Sequence, residues 1–539
     1  MFGAGGGTSS YEELRESSDL IVLWGSNARE AHPIFFHHLL KAVHRGAKLM
    51  VVDPRRTASA QWADLWLGLD VGTDIALANA VGREIIHSGL ANEEFILRAT
   101  TGFDAYRESV EPWTLAEAER VTGVPAEAIG ELAHAYGNAT HAQLCWTLGI
   151  TEHHNGVDNV FALINLSLLC GHVGRHGAGL QPLRGQNNVQ GGGDMGALPN
   201  KLPGFQDVED EAARGRFEAL WGAPVPAKGG KHLSEMFDAM EHGELTALYV
   251  IGENPAQSEA DQQRAEGLLS GLDHLVVQDI FLTKTAQLAD VVLPASASWA
   301  EAEGTVTSSE RRVQRVRRAL APPGDARDDI EIVYAIGERL GVALGSPRAE
   351  DVWNELRALS PMHAGMSYPR LEELGGIQWP CWDEGHGGEQ FLHARLWDEH
   401  VAERAPFMPV VDDPPVDLLD DDFPLRLTTG RRLESFNTGV QTGGFDSPLH
   451  VGGEALRVSP EDGARYGLAD GGRALVSSRR GSVEAPVAYD DTLRPGLAFM
   501  SLHFPDLVAT NMLTIDATDP KSGTAEFKAT AIRVEPLGA

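Results

Sequence analysis

The sequence predicts two Rossmann-like α/β/α domains followed by a closed β-barrel. Three observations predict it. Short, mainly apolar runs such as Leu20–Trp24 and Leu245–Ile251 each stop at a polar turn opened by glycine, as buried parallel strands do. After Pro424 the pattern changes to short strands divided by turns: LRLTTG, LRVSP, RALVSS and GSVEAPVAY. Between the two apolar sets lies Arg184–Pro199, RGQNNVQGGGDMGALP, which carries neither the helical nor the strand period.

In chain order, the Gly- and Ser-rich opening MFGAGGGTSS resembles a phosphate loop only weakly, because no strand precedes it. LIVLW at Leu20–Trp24 is the first strand. GSNAREAHP follows, then a helix from Pro33 to His44, with Pro33 suited to a first helical turn. Lys48–Val52 is the next strand and ends in Asp53-Pro54-Arg55. Strand, helix and strand make a βαβ unit, and in such sheets ligands bind at the strand carboxyl ends. Gly25, Asn27, Glu30, Asp53 and Arg55 occupy those ends. Gly72-Thr73-Asp74 follows, with Asp74 as N-cap of a helix to His87. Each of these residues also serves as an ordinary turn or cap. Helical pattern over 116–140 breaks at Gly123-Val124-Pro125; Gln143–Leu148 is a further strand, leading into Gly149 and Glu152-His153-His154. Adjacent histidines point to opposite faces of a strand and lack a nearby third ligand, which disfavours a metal.

Beyond the central stretch the strands Leu245–Ile251, His274–Val277 and Asp290–Leu293 repeat the first pattern. Their carboxyl ends carry Gly252-Glu253-Asn254-Pro255, then Gln278-Asp279 with Thr283 close by, then Trp299, Glu301 and Glu303. An acidic residue there can accept two N–H bonds from a ligand edge, and Asp279 is the candidate. Glu301 and Glu303 read as turn-shaping residues more than as an acid/base pair. ERRVQRVRRALA (310–321) reads as a solvated helix or strand face, and DDPPVDLLDDD as an acidic linker. The barrel loops carry Thr429-Gly430-Arg431, Asn437-Thr438, Gln441-Thr442, His503, Asn511, Lys521-Ser522-Gly523 and Glu526-Phe527-Lys528.

Composition bounds the partners. Hydrophobic residues make up 42% and charged residues 22%, as in a soluble globular protein. A formal net charge of −33 argues against nucleic acid or an anionic membrane. The apolar run ending at Cys170 is too short to span a bilayer, and no leader opens the sequence, so a cytoplasmic location is expected. Cys145, Cys170 and Cys381 form no CxxC pair. The first two sit in apolar runs; Cys381 sits in the polar loop WPCWDEGHGG and is expected to be the more oxidisable.

The central motif carries the function. Its glycines admit close backbone approach, its amides offer paired donors and acceptors, and Arg184 offers a planar cation for a carboxylate. RGQNNVQGGGDMG resembles the segment that crosses the active site of formate dehydrogenases in the bis-molybdopterin guanine dinucleotide (bis-MGD) superfamily. GSN…EAHP, VVDPR and GTD, then GENP and QD, and finally KSG…EFK stand in that superfamily's order. The resemblance covers essentially the whole chain. It implies two Rossmann-like domains with boundaries near 185 and 415, then a six-stranded C-terminal barrel over the pterins.

It also implies oxidation of formate to carbon dioxide at molybdenum or tungsten held by two MGD molecules. Arg184 would orient formate and Gln186 would bind pterin. Gly25, Asn27, Glu30, Asp53, Arg55, Gly72, Asp74, Gly149 and Glu152 would hold one dinucleotide, with Glu152 standing where the family pattern has Gln. Gly252, Asn254, Gln278, Asp279 and Thr283 would hold the other, with Arg431, Asn511, Phe527 and Lys528 contributed by the barrel. The family's [4Fe–4S] cysteines and its Cys or selenocysteine metal ligand with the following His match nothing here. The resemblance therefore leads one to expect a truncated or split-gene product acting with a separate N-terminal iron–sulfur polypeptide or an electron-transfer subunit. The alternatives are a non-catalytic MGD-binding module and another superfamily reductase such as assimilatory nitrate reductase. A nicotinamide dehydrogenase would need GxGxxG after a first strand, and none is present.

Overall fold

The computed structural model describes residues 2, 3, 5–443 and 453–538. Its first sheet has five parallel strands: β1 Leu20–Trp24, β2 Lys48–Val52, β3 Leu65–Leu67, β4 Ala142–Trp146 and β5 Gly179–Pro182. Their spatial order is β3-β2-β1-β4-β5, which puts the reversal of winding between β1 and β4. In such sheets that is where a ligand crevice opens. The strands are continuous apolar runs because both faces are covered. Val22, Trp24, Met50, Val52, Leu144 and Trp146 pack with the helices Asp74–His87, Ala126–Asn138 and Gly156–Cys170. Ile21, Leu23, Leu49, Val51 and Cys145 face Phe35, Phe36 and Leu39 of the helix Pro33–Arg45. Residues 396–410 return to this domain: Leu396, Ala405, Phe407 and Val410 join its core.

A second parallel sheet holds β6 Ala247–Ile251, β7 His274–Asp279 and β8 Val291–Pro294 in the order β8-β7-β6. It repeats half of the first sheet in register. Leu20 pairs with Lys48 as Ala247 pairs with His274, and Met50 with Leu65 as Val276 with Val291. The side-chain braces repeat too. Asp64 accepts from Leu49 N at 2.8 Å, and Asp290 accepts from Leu275 N at 2.7 Å. A smaller antiparallel sheet, β9 Gly304–Thr307, β10 Arg312–Val316 and β11 Ile377–Gln378, lies beside it.

The C-terminal strands β12 Leu425–Thr429, β13 Leu456–Val458, β14 Arg473–Ser477, β15 Ser482–Tyr489, β16 Leu497–Met500 and β17 Thr530–Leu537 close into a barrel. Its order is β12-β16-β13-β15-β14-β17, filled by Leu427, Val458, Val476, Val487, Met500 and Ile532. The fold is thus the mixed α/β architecture with a six-stranded terminal barrel.

Four local readings change. The stretch from Val189 to Asp194 is a short helix, although its sequence has no helical period. Asn188, at φ 72°, accepts from Thr307 N at 2.9 Å, and Gly191 makes room for it: a Cβ there would stand 1.9 Å from Asn188 Oδ1. Packing against β9, not periodicity, builds this turn. Asp74 is the first helical residue and Thr73 the cap; the Asp74 carboxylate instead accepts from the Trp24 indole at 2.8 Å. The basic run is not simply a solvated face. Arg311, fully buried, donates to the carbonyls of Gly7, Trp379, Glu389 and Gln390, and burial lowers its pKa to about 10. Cys381 is wholly buried, packed against Trp353, Met366 and Trp379.

Among the described residues no helix is long and apolar enough to cross a membrane. All three cysteines are buried and free. A thiol reagent such as DTNB is expected to label none of them in the native protein and all three after unfolding; rapid labelling of Cys381 in the native state would contradict this packing.

Candidate functional site

The carboxyl ends of both sheets, the start of the central segment and the barrel loops enclose one cleft of about 1550 Å³. That exceeds the roughly 300–1000 Å³ usual for a single drug-sized ligand. Its two walls are built alike. At the end of β1, Gly25 adopts φ 58° and donates its N–H to Val52 O at 2.8 Å; at the end of β6, Gly252 adopts φ 65° and donates to Gln278 O at 2.8 Å. Positive φ is the reason for glycine at both turns. Asn27 and Asn254 follow, each opening a one-turn helix. Asn27 Oδ1 accepts from the N–H and hydroxyl of Ser59, and Asn254 Oδ1 from those of Thr285.

The aspartates at the next strand ends also match. Asp53 Oδ1 accepts from Arg55 N at 3.0 Å, and Asp279 Oδ1 from Phe281 N at 3.0 Å. Neither enters an ion pair among the described residues. Burial raises Asp53 to about 6 despite Arg55, and raises Asp279 from its ordinary value. These are acceptors short of donors. A ligand edge bearing two N–H groups would satisfy them and favour the charged form. Thr57 and Thr283 then cap equivalent short turns, accepting from Ala60 N and Ala286 N.

The walls differ in charge. Arg55 stacks on Phe499 at 3.7 Å, and its guanidinium makes no hydrogen bond among the described residues, so it is available to an anion. Phe281 holds the matching place in the second wall, where Glu253 and Glu259 line the cleft. Burial, with Glu253 and Asp516 nearby, raises Glu259 to about 8.

Most residues singled out from sequence meet here. Gly25, Asn27, Asp53, Arg55, Gly72, Asp74, Gly149, Glu152, Gln186, Gly252, Asn254, Gln278, Asp279, Thr283, Arg431, Phe527 and Lys528 line the cleft. Glu30, Asn511 and the Arg184 side chain do not. Asn511 donates at 3.0 Å to Gln257 O and Ser258 O, tying the barrel to the second sheet. Burial raises the Glu30 carboxyl against the nearby Arg55 charge. Arg184 flanks the cleft: its Nε donates to Gln190 Oε1 at 3.1 Å and its Nη2 to Gly5 O at 3.0 Å. Gly25 and Gly149 are back to back, and a Cβ on Gly149 would stand 2.5 Å from Gly25 O.

Two histidines join the lining that sequence patterning did not single out as site residues. His32 Nε2 bonds Arg184 O at 2.8 Å, and His503 Nδ1 bonds Asn437 O at 2.7 Å. Burial lowers each to about 4, so both are neutral at physiological pH. Nothing in the spacing of AHP or LHF marks them.

The barrel is clamped over the first wall by ion pairs. Glu152 pairs with Lys528 at 2.7 Å, which gives the acidic residue at 152 a structural partner. Glu526, buried, takes His153 Nδ1 at 3.3 Å and His154 N at 3.0 Å; His154 Nε2 also meets Asp413 at 3.1 Å. Among the described residues no group of three or more His, Cys, Asp or Glu side chains is placed to hold a metal.

Comparison with known proteins decides the family. Residues 7–339 match the molybdopterin oxidoreductase model, and residues 425–531 match the molybdopterin dinucleotide binding domain. The chain belongs to the molybdopterin oxidoreductase family. It is 40% identical to the F420-dependent formate dehydrogenase subunit alpha of Methanocaldococcus jannaschii, over 99% of this chain and 79% of that one. It is 36% identical to formate dehydrogenase H of Escherichia coli, over 99% of this chain and 75% of that one. The solved structure of acetylene hydratase from Pelobacter acetylenicus superposes with a TM-score of 0.77 at 20% identity, covering 98% of this chain and 79% of that one, which speaks to fold alone. The chain is therefore an oxidoreductase whose cofactor is molybdopterin guanine dinucleotide with molybdenum or tungsten. The doubled wall, with its donor-starved aspartates and its free Arg55, fits that group.

The Glu526 clamp gives a pH prediction. Burial would lower His153, but the charge and hydrogen bond of Glu526, with Asp74, raise it net. Burial would raise Glu526, but His153 and His154 hold it well below the usual range. The histidine's contribution is complete below the ordinary imidazole pKa and is lost as pH rises through the raised value. The glutamate's is present above the ordinary carboxyl pKa and is lost only in strong acid. Melting temperature is expected to fall as pH rises past neutrality. Glu526→Gln, which breaks a buried pair at a cost of about 3–5 kcal/mol, should melt lower and lose that slope. An unchanged slope in the variant would refute the clamp.

Proposed function

We propose that this chain oxidises formate to carbon dioxide, releasing one proton and two electrons, with the metal carried by two MGD molecules held in the doubled wall. The reading rests on one observation: an anchored arginine, Arg184, flanks the opening of a twofold-repeated dinucleotide cradle, in a chain about 40% identical to named formate dehydrogenase alpha subunits. When bound, the metal centre supplies the two-electron chemistry. The residues of this chain supply geometry. Asp53 and Asp279 accept from the two guanine edges, and Arg55 neutralises phosphate on the first side. Gln186, tied to Asn437 at 2.9 Å, holds the central loop against the barrel and would bind pterin. Gly72, Gly149, Gln278, Arg431, Phe527 and Lys528 complete the lining.

Arg184 spends Nε and Nη2 on the protein. Its Nη1 makes no hydrogen bond among the described residues and is left for a small carboxylate. Neutral His32 and His503 add no competing charge. Since the relatives are named as alpha subunits, electrons are proposed to leave through a separate electron-transfer subunit or an iron–sulfur polypeptide.

Two substitutions separate these roles. In the formate-oxidising holoenzyme, Arg184→Lys keeps the charge but loses the planar fork, and should lower kcat/KM for formate on the order of 100-fold with metal content unchanged; wild-type turnover would make Arg184 structural. Asp279→Ala removes a charged acceptor worth about 1.5–3 kcal/mol and should lower the MGD retained per chain after gel filtration, with circular dichroism unchanged. Equal retention would remove Asp279 from the cradle.

A further inference from the structure

Arg184 is held by a relay that runs away from the cleft into the core. Gln190 and Asp194 lie one turn apart on the helix Val189–Asp194, and both are buried. The Gln190 Nε2 donates to Asp194 Oδ1 at 2.8 Å and to Gly5 O at 3.0 Å. Asp194 Oδ2 accepts from the Trp379 indole at 2.8 Å. Trp379 is fixed in turn, packed among Val313, Trp353 and Ile377 beside the buried guanidinium of Arg311.

The hydrogen-bond roles follow without ambiguity. Both hydrogens of the Gln190 amide nitrogen are committed, to Asp194 and to Gly5 O, so its Oε1 must be the atom facing Arg184 Nε. An ionised Asp194 accepts only, which forbids the flipped amide. A flipped Gln190 would present an NH₂ to the Arg184 N–H, two donors face to face, and the guanidinium would lose one of its two anchors.

We propose that Asp194, fixed by Trp379 and acting through Gln190, is the positioning residue that aims Arg184 at the substrate carboxylate. This rests on the reading of Arg184 as the carboxylate-binding residue. Asp194 touches no substrate; it sets which edge of the guanidinium faces the opening. Charged groups facing Asp194 are Arg184 and Arg311, and its polar partners are Gln190 and Trp379. Burial outweighs these partners and lifts Asp194 to about 6. Protonation is therefore half complete near that pH and turns an acceptor into a donor, loosening the relay as pH falls, while formate remains an anion.

The test uses the holoenzyme with its native partner subunits. In the wild type, KM for formate should rise as pH drops through about 6. Asp194→Asn should show a KM raised about tenfold at pH 7.5, as loss of one charge-assisted bond converts to affinity, with a smaller change in kcat, unchanged metal and nucleotide content, and no further rise in acid. Trp379→Phe, which removes a donor that favours the ionised form, should shift the acid limb of KM to higher pH. A residue that only packs the fold would not move that limb. A wild-type KM and pH profile in Asp194→Asn would overturn the proposal.

A second readout needs no turnover. The Trp379 indole N–H resonance, assigned by its loss in Trp379→Phe, should titrate near pH 6 in the wild type and stay flat in Asp194→Asn. A wild type that turns over no formate but shows this titration would count against the substrate and leave the relay standing. Absence of the titration would count against the relay itself.

Discussion

Two peptide hydrogen bonds set the mouth of the cleft: Gly25 N to Val52 O, and Gly252 N to Gln278 O, each 2.8 Å. Each pulls the chain sharply out of one strand and under the carboxyl end of its neighbour, and each needs a backbone at positive φ. From that turn everything on its wall follows. The next asparagine is directed back to a Ser or Thr hydroxyl on the adjoining loop. The neighbouring strand's terminal aspartate is left facing the cleft, one oxygen spent on its own turn. Repetition in register then places the second aspartate as the counterpart of the first in the same cleft.

The walls are alike in frame and unlike in charge. Arg55 on one side is matched by Phe281 on the other, and His32 by Glu259. A duplicated scaffold thus keeps its backbone geometry and diverges at side chains that line the cleft. The barrel closes the first wall through a buried glutamate shared by two histidines and through Lys528 on Glu152, and it reaches the second wall through Asn511. Desolvating these charges is tolerable only because each is paired, so the barrel has little freedom to sit elsewhere.

The strands of the first sheet are legible because both its faces are covered, which leaves runs such as LIVLW with no polar interruption. The cleft residues were legible for a topological reason: whatever follows such a strand lies at its carboxyl edge. The rest depends on contacts distant in sequence. The helix at 189–194 exists because Thr307 and Gly191 accommodate Asn188. Arg184 turns towards Gly5, across 179 positions. Cys381 looks exposed in WPCWDEGHGG, yet a core that includes Val313, Trp353, Met366 and Leu392 covers it. Asn511 and Glu30 stand in single helical turns near the cleft, yet Asn511 ties the barrel to the second sheet and Glu30 is absent from the lining, and no local pattern distinguishes bracing from lining.

The central claim is that the repeated walls hold two guanine dinucleotides on one chain. It is tested most directly by counting. Acid hydrolysis of the purified holoenzyme, with guanosine nucleotide measured against molybdenum or tungsten and against protein, should give two guanine nucleotides per metal and per chain. A ratio of one would mean that the second wall is a scaffold without a ligand, and the account built on the matched aspartates would fail.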